Sequence, residues 1–69
     1  MDALEKELES RKESIKKELK FLFKANMKFT DWDIPEVDDE KASRALLDIF
    51  REAIDDIQKD IDNGKYRDF

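Results

Sequence analysis

Cysteine and histidine are both absent from this chain of 69 residues. Without cysteine there is no disulfide and no thiolate nucleophile. Without histidine the commonest metal ligand is missing, and so is the commonest acid–base group near neutral pH. Glycine and proline occur once each, which leaves few turns and favours long helices with few connections. No uninterrupted apolar run exceeds three residues. That excludes a membrane-spanning helix and the apolar stretch of a secretory signal, and the expected location is the cytoplasm.

Charged residues, in contrast, make up 48% of the chain, with a net charge of −5. A high charge content at low mean hydropathy (−0.88) is also the mark of disorder. The placement of the apolar residues argues against disorder, because they recur at helical spacing rather than being scattered.

The spacing predicts a first helix over about 2–26. Asp2 is its N-cap, and Glu5 stands three residues on in capping-box position. Its apolar stripe is Leu4, Leu8, Ile15, Leu19 and Leu22, with Phe23 at one edge. At helical periodicity these occupy an arc of roughly 100°. A connection over about 27–38 alternates acidic with bulky apolar residues, and Pro35 turns Ile34 away from helical geometry. A second helix is predicted over about 39–63, with Asp38 or Asp39 as N-cap and Gly64 as the left-handed residue that ends it. Its apolar set runs from Ala42 and Leu46 to Ile57 and Ile61 and spreads over roughly 160°. Residues 64–69 form a short tail, in which Tyr66 and Phe69 are positioned to fold back.

The expected fold is therefore all-α: a single domain built as an antiparallel two-helix hairpin. The second helix offers a wider apolar face than one neighbour can cover. Each large apolar side chain left in water forgoes about 1.5–3 kcal/mol. Two hairpins packed as a four-helix bundle would remove that deficit. The expected self-association surface is Leu46, Phe50, Ala53, Ile54, Ile57 and Ile61.

Three further features bear on function. Residues 11–28 hold seven basic and two acidic side chains. A ridge of Lys12, Lys16, Lys20, Lys24 and Lys28 steps along the first helix by fours. Its plainest reading is a solvated face laced with pairs such as Glu13–Lys17. It could also meet the acidic side of the second helix, at Asp48, Asp55 and Asp56. A ridge of Lys16, Lys17, Lys20 and Lys24 also suits a phosphate backbone, although the acidic total and the lack of a binding motif disfavour nucleic acid.

The second feature is Trp32, set between Asp31 and Asp33 and followed by Ile34 and Pro35. It reads either as a plug, with Trp32, Ile34 and Val37 closing the bundle end over Phe21, Phe23 and Phe29, or as a docking segment. The plug is the favoured expectation, since a small protein rarely leaves its single tryptophan in water. Phe21, roughly opposite the main stripe, joins Trp32 and Ile34 as the region for an outside protein partner.

The third is the carboxylate run from Asp31 to Glu40. Its spacing does not fit a calcium loop, because Glu36 stands where that loop requires glycine. No metal, cofactor, small-molecule substrate or enzymatic constellation is implied. The function expected is a non-catalytic protein–protein interaction module (an adaptor, regulatory subunit or inhibitor), with a homodimer and another protein as its partners. Nucleic-acid association through the lysine ridge is the alternative.

Overall fold

The computed structural model describes residues 2–68. It contains two helices, α1 (Ala3–Asp33) and α2 (Asp39–Asp62), and no strand among the described residues. The chain is thus an all-helical two-helix hairpin.

Local chemistry sets the helix ends. The Asp2 carboxylate accepts the N–H of Glu5 at 2.8 Å and starts α1. Asp38, rather than Asp39, caps α2, and its Oδ1 accepts from the N–H groups of Glu40 (3.0 Å) and Lys41 (3.3 Å). Asp39 and Glu40 then lie in the first turn, where the helix dipole favours negative charge.

At the far end Gly64 takes φ +81°. There the Lys65 N–H donates to the Asp60 carbonyl and the Gly64 N–H to the Ile61 carbonyl, both at 3.0 Å. This pair of bonds is the Schellman closure. An ion pair between Lys65 and Asp60 at 3.5 Å stands where an apolar contact usually sits. The Lys65 ammonium lies 5.9 Å from the centre of the Tyr66 ring. Phe69 lies outside the described residues.

The first helix is longer than its sequence predicts. It continues past Asn26 to Asp33, so Met27, Phe29 and Trp32 are helical rather than part of the connection. Nothing within 27–33 breaks a helix. Asn26 and Thr30 bond back to the carbonyls of Leu22 (2.9 Å) and Asn26 (3.0 Å), which satisfies their side chains on the helix itself. Helical geometry ends at Ile34, at φ −133° and ψ 83°, as the following proline requires. Pro35 then occupies the second place of a tight turn closed by the Val37 N–H on the Ile34 carbonyl at 3.0 Å.

The two helices meet only near this turn. Half-buried residues cluster at that end, chiefly Phe23, Met27 and Thr30 of α1, Val37, and Ala42, Leu46 and Phe50 of α2; Asp60 and Gly64 are half-buried at the far end of α2. The Phe23 and Phe50 rings meet edge to face, 5.7 Å between centroids. Every residue from Asp2 to Leu22 is exposed, and so is every residue from Arg51 to Lys59.

The molecule measures 49 × 28 × 16 Å. The middle dimension exceeds the roughly 20 Å of two helices lying side by side, so the arms splay away from the turn. The radius of gyration is 16.0 Å, against about 11 Å for a compact chain of this length. No described residue is fully buried.

Candidate interaction surfaces

Three surfaces stand out. The first is apolar and lies on the two arms. The α1 stripe of Leu4, Leu8, Ile15, Leu19 and Leu22 is exposed along its whole length. What touches α2 is Phe23, at the edge of that stripe. On α2 the predicted self-association set divides. Leu46 and Phe50 are half-buried against α1, whereas Ala53, Ile54, Ile57 and Ile61 remain exposed. The physical reason is the splay: the helices diverge beyond Phe50, and the apolar faces of the arms lose contact with each other.

The second surface is a groove of about 510 Å³ at the inner corner. It is lined by Thr30, Val37, Asp38, Lys41, Ala42, Ala45, Leu46 and Ile49. It is the space left where the last turn of α1 and the first turns of α2 come apart.

The third lies on the outside of α1. Lys17, Lys20, Phe21 and Lys24 border a shallow groove of about 300 Å³. Their spacing of three, four and seven places them on one helical face, centred opposite the Leu4–Leu22 stripe. Phe21 is 71% exposed and has no ring partner among the described residues. Lys16, Lys17, Lys20 and Lys24 form no ion pair among the described residues. The pairs that do form, such as Arg11–Glu7 and Arg44–Glu40, lie within one helix or at the α2 end. None joins the α1 lysines to Asp48, Asp55 or Asp56, and Glu13–Lys17 is not among them.

Trp32 is the most exposed large apolar side chain described, at 75%. Its ring rests edge-on against Phe29 one turn away, 6.0 Å between centroids. The predicted plug does not form: Trp32 and Ile34 (54% exposed) face water, and only Val37 of the three is half-buried. The reason is the extra helical length. By carrying Trp32 on α1 rather than in a loop, the chain fixes it on the outer face, where it cannot fold over the hairpin end.

Beside Trp32, the carboxyl group of Asp31 lies against Asp39 at the start of α2. A hydrogen bond with Asp39 is the main cause of a raised Asp31 pKa, with desolvation next and repulsion from Asp39 after it; the ordinary value is 3.8. Two carboxyl groups thus share one spot across the turn. Among the described residues no three acidic side chains converge as metal ligands would.

Comparison with known protein families, with characterised proteins and with solved structures gives no match. The surfaces themselves are therefore the guide to function. Sequence patterning singled out Phe21, Trp32 and Ile34 as a region of interest while favouring burial of Trp32 and Ile34, and the structure leaves all three in water. It did not locate the corner groove, because that space depends on where the helices part.

Proposed function

We propose that this chain is a non-catalytic helical interaction module, an adaptor, regulatory subunit or inhibitor that completes its core on another helical surface. A second copy is the first such surface, giving a four-helix bundle through Ala53, Ile54, Ile57 and Ile61 together with the α1 stripe. One observation carries this reading. The chain exposes 6555 Å², whereas a compact protein of 8.3 kDa exposes about 4,600 Å². The excess, about 2,000 Å² per chain, is on the scale that stable protein interfaces bury. Much of it lies on aliphatic side chains of the arms, and covering these is the main favourable contribution to association.

Sedimentation equilibrium over a wide concentration range at moderate salt tests this. A dimer whose stability changes little with added salt is the expected result. A monomer at every concentration would remove the bundle and leave the arms for a different protein.

A second reading rests on the lysines of α1. Lys16, Lys17, Lys20 and Lys24 form no ion pair with a carboxylate among the described residues, and such a ridge suits phosphates. Binding to duplex or single-stranded nucleic acid that weakens steeply with salt would support it. Absence of binding at low salt would dismiss it.

A further inference from the structure

The continuation of α1 through Trp32 puts that ring on the same helical face as the lysine ridge. At helical periodicity Lys17, Lys20, Phe21, Lys24, Lys28 and Trp32 fall within an arc of roughly 120°. All six are exposed, and Phe21 and Trp32 are the two most exposed large apolar side chains among the described residues. None of the four lysines forms an ion pair among the described residues. Between Lys17 and Trp32 the arc carries no Leu, Ile or Val. Lysine is depleted in the cores of protein–protein interfaces. A face of lysines and bare aromatic rings has instead the make-up of a single-strand platform, with charge for the phosphates and rings for the bases.

We propose, building on the reading of the α1 lysines as phosphate contacts, that this face binds single-stranded nucleic acid without reading its sequence. One base stacks on Phe21, in the groove that Lys17, Lys20 and Lys24 border. Another stacks on Trp32, and Lys24 and Lys28 neutralise phosphates between the two. The rings are eleven residues apart in sequence, about 16 Å along the helix axis. That distance spans about five nucleotides at the ~3.4 Å spacing of a stacked strand, and fewer when the strand is extended. In a duplex every base face is covered by its neighbours, so the two rings would find nothing to stack on. Nor is any side chain on the arc suited to reading base edges. Asn26, the one side-chain amide of α1, lies on the side of the Leu4–Leu22 stripe and donates to the Leu22 carbonyl at 2.9 Å.

Trp32 rests against Phe29, 6.0 Å between centroids, which positions its ring before contact and lowers the ordering cost. The negative charge of the chain lies mostly elsewhere. Residues 11–28 hold seven basic and two acidic side chains, and the acids of α2 are carried on the diverging arm. Asp31 is the one carboxylate on the arc between Lys17 and Trp32, at its edge, and Asp33, Glu36 and Asp38 follow it. That acid stops the strand at Trp32. The face lies opposite the Leu4–Leu22 stripe, so an arm-mediated dimer leaves it free.

Trp32 is the only tryptophan, so its fluorescence reports stacking directly. Titration with an oligothymidylate of about a dozen nucleotides, within the site sizes of single-strand binders, is expected to quench it saturably at low salt. Affinity should fall with salt at a log–log slope of about −3, as four neutralised phosphates require. Lys24→Gln with Lys28→Gln should roughly halve that slope. Phe21→Ala should weaken binding on the order of tenfold and leave the slope unchanged, because stacking carries no counterion term. With a labelled strand read by anisotropy, Trp32→Ala should weaken binding similarly and Trp32→Phe should restore it. Base faces and phosphates are common to DNA and RNA, so oligouridylate should bind within a few-fold of oligothymidylate. All substituted positions are exposed, and circular dichroism checks that the helices persist.

A duplex that binds as tightly as the single strand, with Trp32 emission unchanged, would overturn the proposal while leaving the lysines as phosphate contacts. No binding of either form at low salt would dismiss both. Polyglutamate that displaces the strand at equal charge would point to an acidic protein partner and would overturn the proposal, as would Phe21→Ala and Trp32→Ala chains that bind like the wild type.

Discussion

At the scale of single residues, capping and turn chemistry hold the helices in place. Asp38 is the clearest case, because one carboxylate oxygen satisfies two N–H groups that would otherwise lack partners. Asp38→Ala is expected to cost about 1 kcal/mol, a fall of about 4–8 °C in thermal midpoint for a domain of this size. Thermal denaturation followed by circular dichroism checks it, at fixed protein concentration because assembly raises apparent stability. No change would mean that water or Asp39 replaces the cap without loss.

Asp31 predicts a pH dependence. Its pKa is raised in the folded chain by the hydrogen bond to Asp39, by desolvation and by repulsion, so the folded state holds the proton more tightly than the unfolded state does. The resulting stabilisation is fully present below the ordinary value of 3.8 and is lost as pH rises through the raised value. Relative to the wild type, Asp31→Asn should gain stability as pH increases across the carboxylate range. Thermal midpoints of the two proteins between acid and neutral pH measure this. A constant difference would show that Asp31 and Asp39 do not interact.

At the scale of elements, α1 and α2 differ in what holds them. The α1 arm before Leu22 is exposed on all sides and relies on helix propensity and pairs such as Glu7–Arg11 at 3.9 Å. An exposed pair of this kind contributes only about 0.3–0.5 kcal/mol. Contact between the elements centres on Phe23 and Phe50. A double-mutant cycle with Phe23→Leu and Phe50→Leu should give a coupling of about 0.5–1.5 kcal/mol. Coupling near zero would mean that the hairpin is held by its turn alone.

Pro35 and Gly64 were legible as breakers because each acts on its own backbone and its neighbours. The continuation of α1 through Trp32 was less so. Alternating acidic and apolar residues resemble a connection, yet the helix needs only a backbone free of proline and glycine, and that condition holds up to Asp33.

At the scale of the whole molecule, the hairpin is extended and has no buried core among its described residues. If a partner covers the arms as proposed, its stability is tied to that partner. Ile57 is exposed in the middle of the α2 face. In an arm-mediated dimer, Ile57→Asp would replace a buried side chain in both copies. Dissociation should increase on the order of a hundredfold or more, read by sedimentation equilibrium against the wild type. An unchanged dimer would shift the interface away from α2.

The amino-acid sequence by itself determined the class of the fold. Helical periodicity, one proline and one glycine leave room for two helices and one turn, and these signals are local. It also determined which residues are apolar, and hence that the chain carries more greasy surface than two helices can hide. Only the tertiary structure decided which of those residues meet. The stripe of α1 stays bare while Phe23, at its edge, packs on Phe50; Trp32 rides on the helix instead of closing the end; and the arms part beyond Phe50. These outcomes depend on the direction in which α2 leaves the turn. A five-residue connection sets that direction through backbone angles at Ile34 and the turn that follows, and small changes there become large displacements at the far ends of two long helices.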